Sequence, residues 1–195
     1  MPFMRIVLAS VLATASFGAS AAGVTYRIDP DHTVVLATWN HFGYSNPSAN
    51  FAGASGTIVY DAGAPAKSSV QVTLPMSAVD SFVPKLDEHL KSADFFDAGK
   101  YPVATFTSTS VRALGEGHLE VTGNLELHGV SKPVVLDVKL NKAAPHPMGK
   151  TPTLGFDASA TIQRSAFGID KYVPMVSDAI VLRITTEASA ETPKE

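Results

Sequence analysis

An all-β fold is what this sequence predicts, and three observations carry the prediction. Apolar and polar residues alternate with a period of two through most of the chain, the pattern of strands buried on one face. Clusters of Gly, Pro, Asp and Asn interrupt the alternation at short intervals, as tight turns between antiparallel neighbours require. The chain has no cysteine, so its core is held by burial and strand pairing alone.

The elements follow in order. Arg5, the apolar run from Ile6 to Phe17 and the small residues Gly18 to Ala22 have the charge, core and cleavage-site order of a secretory signal, with the cut expected after Ala21 or Ala22. The run is too short to cross a bilayer of about 30 Å as a helix. No cysteine follows either cut, so no lipoprotein anchor is expected. Residues 1–22 are read as a cleaved signal peptide and 23–190 as one β-domain. Residues 191–195, with charge and Pro but no apolar side chain, are read as a flexible tail. The expected compartment is the periplasm, or the medium beyond it.

A weak strand signal at 25–28 opens the domain. Val35, Ala37, Trp39 and His41 then share one face, followed by a weaker segment at 57–60 and by Val70, Val72 and Leu74. Helical spacing replaces alternation at Phe82, Leu86, Leu90 and Ala93, with Lys85, Asp87, Glu88 and Lys91 between them. This predicts a short amphipathic helix from Pro84 to Ala93. Alternation resumes at 103–110, at Leu119, Val121, Leu125 and Leu127, and at Val134, Leu136, Val138 and Leu140. It continues at Leu154, Phe156, Ala158, Ala160, Ile162 and Arg164, and ends with Ile180, Leu182 and Ile184. Turns are expected at 61–63, 115–117, 128–133 and 145–149. Eight or nine antiparallel strands result, which close either as a sandwich or as a barrel; alternation does not choose. A barrel of about eight strands is either just filled or holds one small ligand, depending on the size of its inward residues. Ala158 and Ala160 leave room between Phe156 and Ile162, and the ten Phe and one Trp are numerous enough to fill it.

Several functions are set aside. Without Arg5, 14 of the 15 basic side chains face 18 acidic ones, a formal charge of -4 that offers no attraction for nucleic acid or an anionic membrane surface. The six histidines, at 32, 41, 89, 118, 128 and 146, show neither H-x-H nor H-E-x-x-H spacing, so no local metal site is expected. There is no G-x-S-x-G elbow, no recognisable acid–base pair and no phosphate-cradling Gly-rich loop, so enzymatic chemistry is not expected either.

Five blocks in order carry a resemblance. They are Ile28-Asp29-Pro30-Asp31-His32-Thr33 with Trp39-Asn40-His41-Phe42-Gly43, then His89 through Asp97, Tyr101-Pro102, Gly123 through Val130, and Arg164-Ser165-Ala166-Phe167-Gly168-Ile169. Together, from Tyr26 to Ala188, they resemble the YceI family. The resemblance implies an extended, lipocalin-like antiparallel β-barrel of eight strands with short helices, enclosing a long apolar tunnel. It implies a periplasmic or secreted protein that binds a polyisoprenoid or another long-chain amphiphile, such as a quinone or its precursor, without a catalytic set or other cofactor. Ala37 and Trp39 depart from the family pattern, which often has Phe and an aliphatic residue there; Ala49, Ala54 and Ala166 depart as well.

On that resemblance the tail wall is assigned to Val35, Trp39, Phe51, Phe106, Leu125, Phe156, Ile162 and Phe167. Phe82, Leu86, Leu90, Phe95 and Phe96 are assigned to a mobile cover. The head group is assigned to His41 and Arg164, each ending an apolar face, and after them to His32 and His128. An inward Arg can bind phosphate bidentately or hydrogen-bond a quinone oxygen; the alternative for Arg164 is an ion pair with Asp170 or Asp178. The alternative for His41 is a bond to a backbone carbonyl. The alternative function is a non-enzymatic interaction module of envelope stress with a packed interior. A homodimer covering an edge strand or the tunnel mouth fits either function.

Overall fold

The computed structural model describes residues 23–191. The expected signal peptide and residues 192–195 of the expected tail lie outside them. The strands are β1 (Val24–Ile28), β2 (Val34–Thr38), β3 (Ser48–Phe51), β4 (Ser55–Tyr60), β5 (Ser69–Pro75), β6 (Val79–Asp80), β7 (Val103–Gly115), β8 (His118–Leu127), β9 (Val130–Pro145), β10 (Pro152–Gln163) and β11 (Ala179–Ala190); α1 (Pro84–Lys91) lies between β6 and β7.

The pairing closes this sheet into a barrel. β1, β4, β5, β7, β8, β9, β10 and β11 neighbour one another in that order, and β11 returns to β1 through Ile28 opposite Ala188. β2, β3 and β6 continue three of those strands past a break: β2 pairs with β11 and β3, and β3 pairs with β6, all antiparallel. The barrel therefore has eight strands, the first three each interrupted once. The physical cause is local at each break. Pro30 and the Asp29 carboxylate, which accepts the Asp31 N–H at 2.9 Å, turn the chain between β1 and β2. Gly53, at φ 73°, turns it between β3 and β4. After β5, the Met76 N–H donates to the Pro102 carbonyl at 2.9 Å and the chain bends into a single 3-10 turn before β6.

The expected inward faces are the buried ones, from Val35 and Ala37 on β2 to Leu154, Phe156 and Ile162 on β10. The β8–β9 turn is tighter than the sequence suggested. His128 and Gly129, at φ 53° and 74°, form a two-residue loop, and Pro133 already lies within β9 opposite Asn124. The helix is shorter than expected, ending at Lys91, because the Ser92 hydroxyl and N–H both donate to the His89 carbonyl and close the last turn. Glu191, the first tail residue, is held at β1: its N–H donates to the Thr25 carbonyl and its carboxylate pairs with Arg27.

Inside the barrel, apolar packing falls into two clusters along the axis. One surrounds Tyr26, Ile28, Ile58, Tyr60, Leu154 and Phe156, with the Tyr60 and Phe156 rings edge-on at 6.0 Å. The other surrounds Val35, Ala37, Ala49, Phe51, Leu127 and Ile162, at the end capped by α1. Val72, Phe106 and Leu136 pack against both.

Candidate functional site

The second cluster is hollow. It encloses a cavity of about 380 Å³, within the size range of small-molecule sites. Inward side chains of β2, β3, β8, β10 and β11 supply the wall: Val35, Ala37 and Trp39, then Ala49 and Phe51, then Leu125 and Leu127, Ile162, and Ile180 and Leu182. Small residues make the room, since Ala37 lies directly opposite Ala49 across the β2–β3 pair and Ala104 is the inward residue at the start of β7. Both Ala37 and Trp39, the departures from the family pattern, face this space. The other half of the barrel is packed.

The roof is built from α1 and the turns after it. Leu86 and Leu90 are one helical turn apart and both face the cavity. Phe95 and Phe96 reach it together, which a strand would forbid, because residues 93–100 form consecutive turns. Phe96 meets Phe51 edge-on at 5.4 Å, and Phe95 meets His89 at 4.9 Å.

Four expected tail contacts lie elsewhere. Phe82 is 75% exposed. Pro84 starts the helix and holds Val83 extended, so Phe82 precedes the helical face, with its N–H donated to the Asp80 carboxylate at 2.8 Å. Phe156 belongs to the packed half, and Phe167 is buried in the 3-10 turn after β10. Phe106 does not line the cavity but packs against both clusters. Its ring lies over Gly123, where a Cβ would fall 2.4 Å from Phe106 Cζ.

Polar groups gather only at the mouth, where His41, His89, Arg164 and Tyr172 join the lining. Arg164 is 6% exposed. Its Nε donates to the Ser177 carbonyl at 2.9 Å, Nη1 to Ile169 at 2.8 Å and Nη2 to Val176 at 2.8 Å. The expected ion pair with Asp170 or Asp178 does not form: the Asp178 carboxylate instead accepts the Ser165 N–H and hydroxyl at 2.7 and 2.6 Å. Burial pulls the Arg164 pKa down, against the opposing pull of the Asp178 and Asp170 charges. A guanidinium has five N–H groups, so two remain after those three bonds. His41 stands exposed at the mouth with its ring edge-on to Phe42 at 4.5 Å.

His32 and His128 do not reach the site. His32 Nδ1 bonds the Asp29 carboxylate at 2.8 Å at the β1–β2 break, outside the barrel. His128 Nδ1 bonds the Phe167 carbonyl at 3.0 Å under the Tyr101 ring, a bond that holds the turn. Sequence reasoning missed His89 and Tyr172. His89 is three residues after Leu86 and so shares its helix face, a signal that was available; Tyr172 lies in an irregular loop with no periodic signal. No group of three or more metal-binding side chains occurs among the described residues, and no helix there is long and apolar enough to cross a membrane.

The model of the YceI-like domain matches residues 26–188. The YceI protein of Salmonella arizonae is 38% identical over 186 residues, which cover 94% of this chain and 95% of that one. Among solved structures, the YCEI protein of Campylobacter jejuni superposes with a TM-score of 0.71 at 30% identity, covering 78% of this chain and 90% of that one. Two more distant structures share the fold. BcnA of Burkholderia cenocepacia has a TM-score of 0.75 at 24% identity, covering 82% and 98%. A polyisoprenoid-binding domain of Saccharophagus degradans, implicated in plant cell wall breakdown, has a TM-score of 0.66 at 14% identity, covering 86% and 99%. With the match spanning nearly the whole barrel, this chain belongs to the YceI-like family.

Proposed function

We propose that this protein is a non-enzymatic carrier that holds an isoprenoid or another long-chain amphiphile, tail inward, in the hollow half of its barrel. One observation carries the reading: the cavity wall is apolar on every side, and its polar groups stand together at the mouth. Each CH2-sized group taken out of water stabilises the complex by roughly 0.8 kcal/mol, so a tail of modest length suffices for stable binding. The head group rests against Arg164, His41, His89 and Tyr172. The two free guanidinium N–H groups favour an oxygen acceptor, a phosphate, a carboxylate or a quinone carbonyl. Similarity to a polyisoprenoid-binding domain supports the choice of ligand class. The N-terminal sequence supports action in the periplasm.

Protein purified from its native host without detergent tests this. Organic extraction and mass spectrometry are expected to find an apolar amphiphile in near-equal molar amount. Farnesol is expected to change the fluorescence of Trp39, the only tryptophan and a cavity residue. An empty extract together with an unchanged Trp39 signal would refute the proposal.

A further inference from the structure

The cavity mouth is rimmed by exposed apolar side chains that no part of the described chain covers. Two loops form this rim. The Phe42 N–H donates to the Met175 carbonyl at 2.9 Å, and the Ser177 N–H to the Asn40 carbonyl at 2.9 Å, so residues 40–45 and 172–177 are zipped together. His41 bridges to Val176 across them. From this zipped edge Tyr44, 92% exposed, and Met175, 63% exposed, stand out into solvent, flanked by half-exposed Phe42 and Tyr172.

Tight turns present these side chains: the Tyr44 N–H donates to the His41 carbonyl and the Val173 N–H to the Asp170 carbonyl, each at 3.0 Å. Phe42 and Tyr172 adopt φ of 54° and 65°, the left-handed region that bulky residues avoid, and each keeps nearly half of its surface in water. Phe42 and Tyr172 also line the cavity, so the outer rim and the inner wall form one continuous apolar surface.

We infer that this rim docks on the surface of a lipid bilayer, with Tyr44 and Met175 entering the interfacial layer and the mouth facing the lipid. The inference rests on the cavity taking an amphiphile, and it adds where that amphiphile enters. A tail that crosses open water loses the gain of burial for every methylene on the way; continuous apolar contact from bilayer to cavity avoids that loss. Tyr suits the boundary because its ring is apolar and its hydroxyl is polar. Charge plays little part: Lys171 is paired with Asp94 at 3.2 Å and Arg164 is buried. The contact is apolar and therefore insensitive to salt.

The test compares the protein with its Tyr44→Ser/Met175→Ser variant, since neither residue lines the cavity. In flotation with zwitterionic phosphatidylcholine vesicles, the unmodified protein is expected to partition at least about tenfold more than the variant, equally at low and high salt. cis-Parinaric acid delivered from the same vesicles and read by quenching of Trp39 is expected to transfer at a rate proportional to vesicle concentration, and about tenfold more slowly to the variant. Parinarate added from ethanol is expected to bind both proteins equally, which also shows the variant to be folded. Equal flotation of the two proteins overturns the inference, as does a transfer rate independent of vesicle concentration. A dimer that sedimentation velocity detects and the double substitution dissociates also overturns it, because the rim is then covered by a second copy. Flotation needs no ligand, so rim-dependent flotation of a protein that gives an empty extract and no Trp39 response to farnesol supports docking while refuting the carrier reading.

Discussion

Phe106 packs where the two apolar clusters of the barrel meet, and its removal is the sharpest test of whether it divides the hollow half from the packed one. Its ring lies over Gly123 of the neighbouring β8 and, with Val72 and Leu136, packs against both apolar clusters. Phe106→Ala removes the aromatic part of that junction, and if the ring divides the two halves the cavity deepens. Truncating a fully buried Phe costs about 3–5 kcal/mol; this ring is half-buried, so about 2–3 kcal/mol is expected. At about 2–4 °C per kcal/mol for a domain of this size, the melting midpoint falls by roughly 4–12 °C. The binding consequence has the opposite sign. A prenyl unit adds about five CH2-sized groups, a ceiling of about 4 kcal/mol, and retaining half of it gives about 30-fold tighter binding. Titrating Trp39 fluorescence with geraniol, farnesol and geranylgeraniol reads this directly. The unmodified protein is expected to stop gaining affinity one prenyl unit earlier than Phe106→Ala. The same length dependence in both proteins, with the stability loss present, would refute Phe106 as the divider.

Three further outcomes are expected. Arg164→Met orphans the Ser177, Ile169 and Val176 carbonyls, so a loss of about 3–5 kcal/mol in urea unfolding and early proteolysis within residues 169–177 are expected; Arg164→Lys does not rescue it, because one ammonium cannot reach three diverging carbonyls. Gly123→Ala places a methyl against the Phe106 ring and 2.6 Å from the Thr107 carbonyl oxygen, for a loss of about 2–3 kcal/mol; a double-mutant cycle with Phe106→Ala is expected to recover the ring's share and leave the carbonyl's. At the β1–β2 break, the Asp29 hydrogen bond raises the His32 pKa above its ordinary 6.5, and the same bond lowers that of Asp29 below 3.8. The His32 contribution is therefore full below pH 6.5 and fades as pH rises through the raised value, whereas the Asp29 contribution fades only as pH falls through its lowered value. His32→Ala is expected to flatten the pH dependence of the melting midpoint above neutrality, in a thermal scan at several pH values.

The wall of the cavity was legible because a strand has only two faces. Once Val35 is inward, Ala37, Trp39 and His41 must follow it, and all four line the mouth or the wall. Leu86 and Leu90 were legible for the corresponding helical reason. Phe82 was misplaced because its spacing from Leu86 put it with the helical face, although the helix starts only at Pro84, which holds Val83 extended and leaves Phe82 outside that face. Arg164 was correctly placed inward, yet its partners were not foreseeable: the three carbonyls belong to irregular backbone at residues 169, 176 and 177, and no side-chain pattern records where a carbonyl points. Tyr172 was hidden for the same reason. Alternation could not separate the hollow half from the packed half, because it reports direction and not size.

Size is what divides the barrel. The packed end places Tyr26, Tyr60 and Phe156 on the same inward pleat that carries Ala37, Ala49 and Ala104 at the other end. Strand number fixes the diameter for both ends alike, so three large side chains fill one end while three methyl groups leave the other open. Water alone would fill that space poorly, because an apolar wall offers it few hydrogen bonds. Phe106 lies where the two regimes meet, and its ring can lie against β8 there only because residue 123 has no side chain. Small side chains thus leave one end of the barrel open, and a single buried guanidinium lines the cavity there.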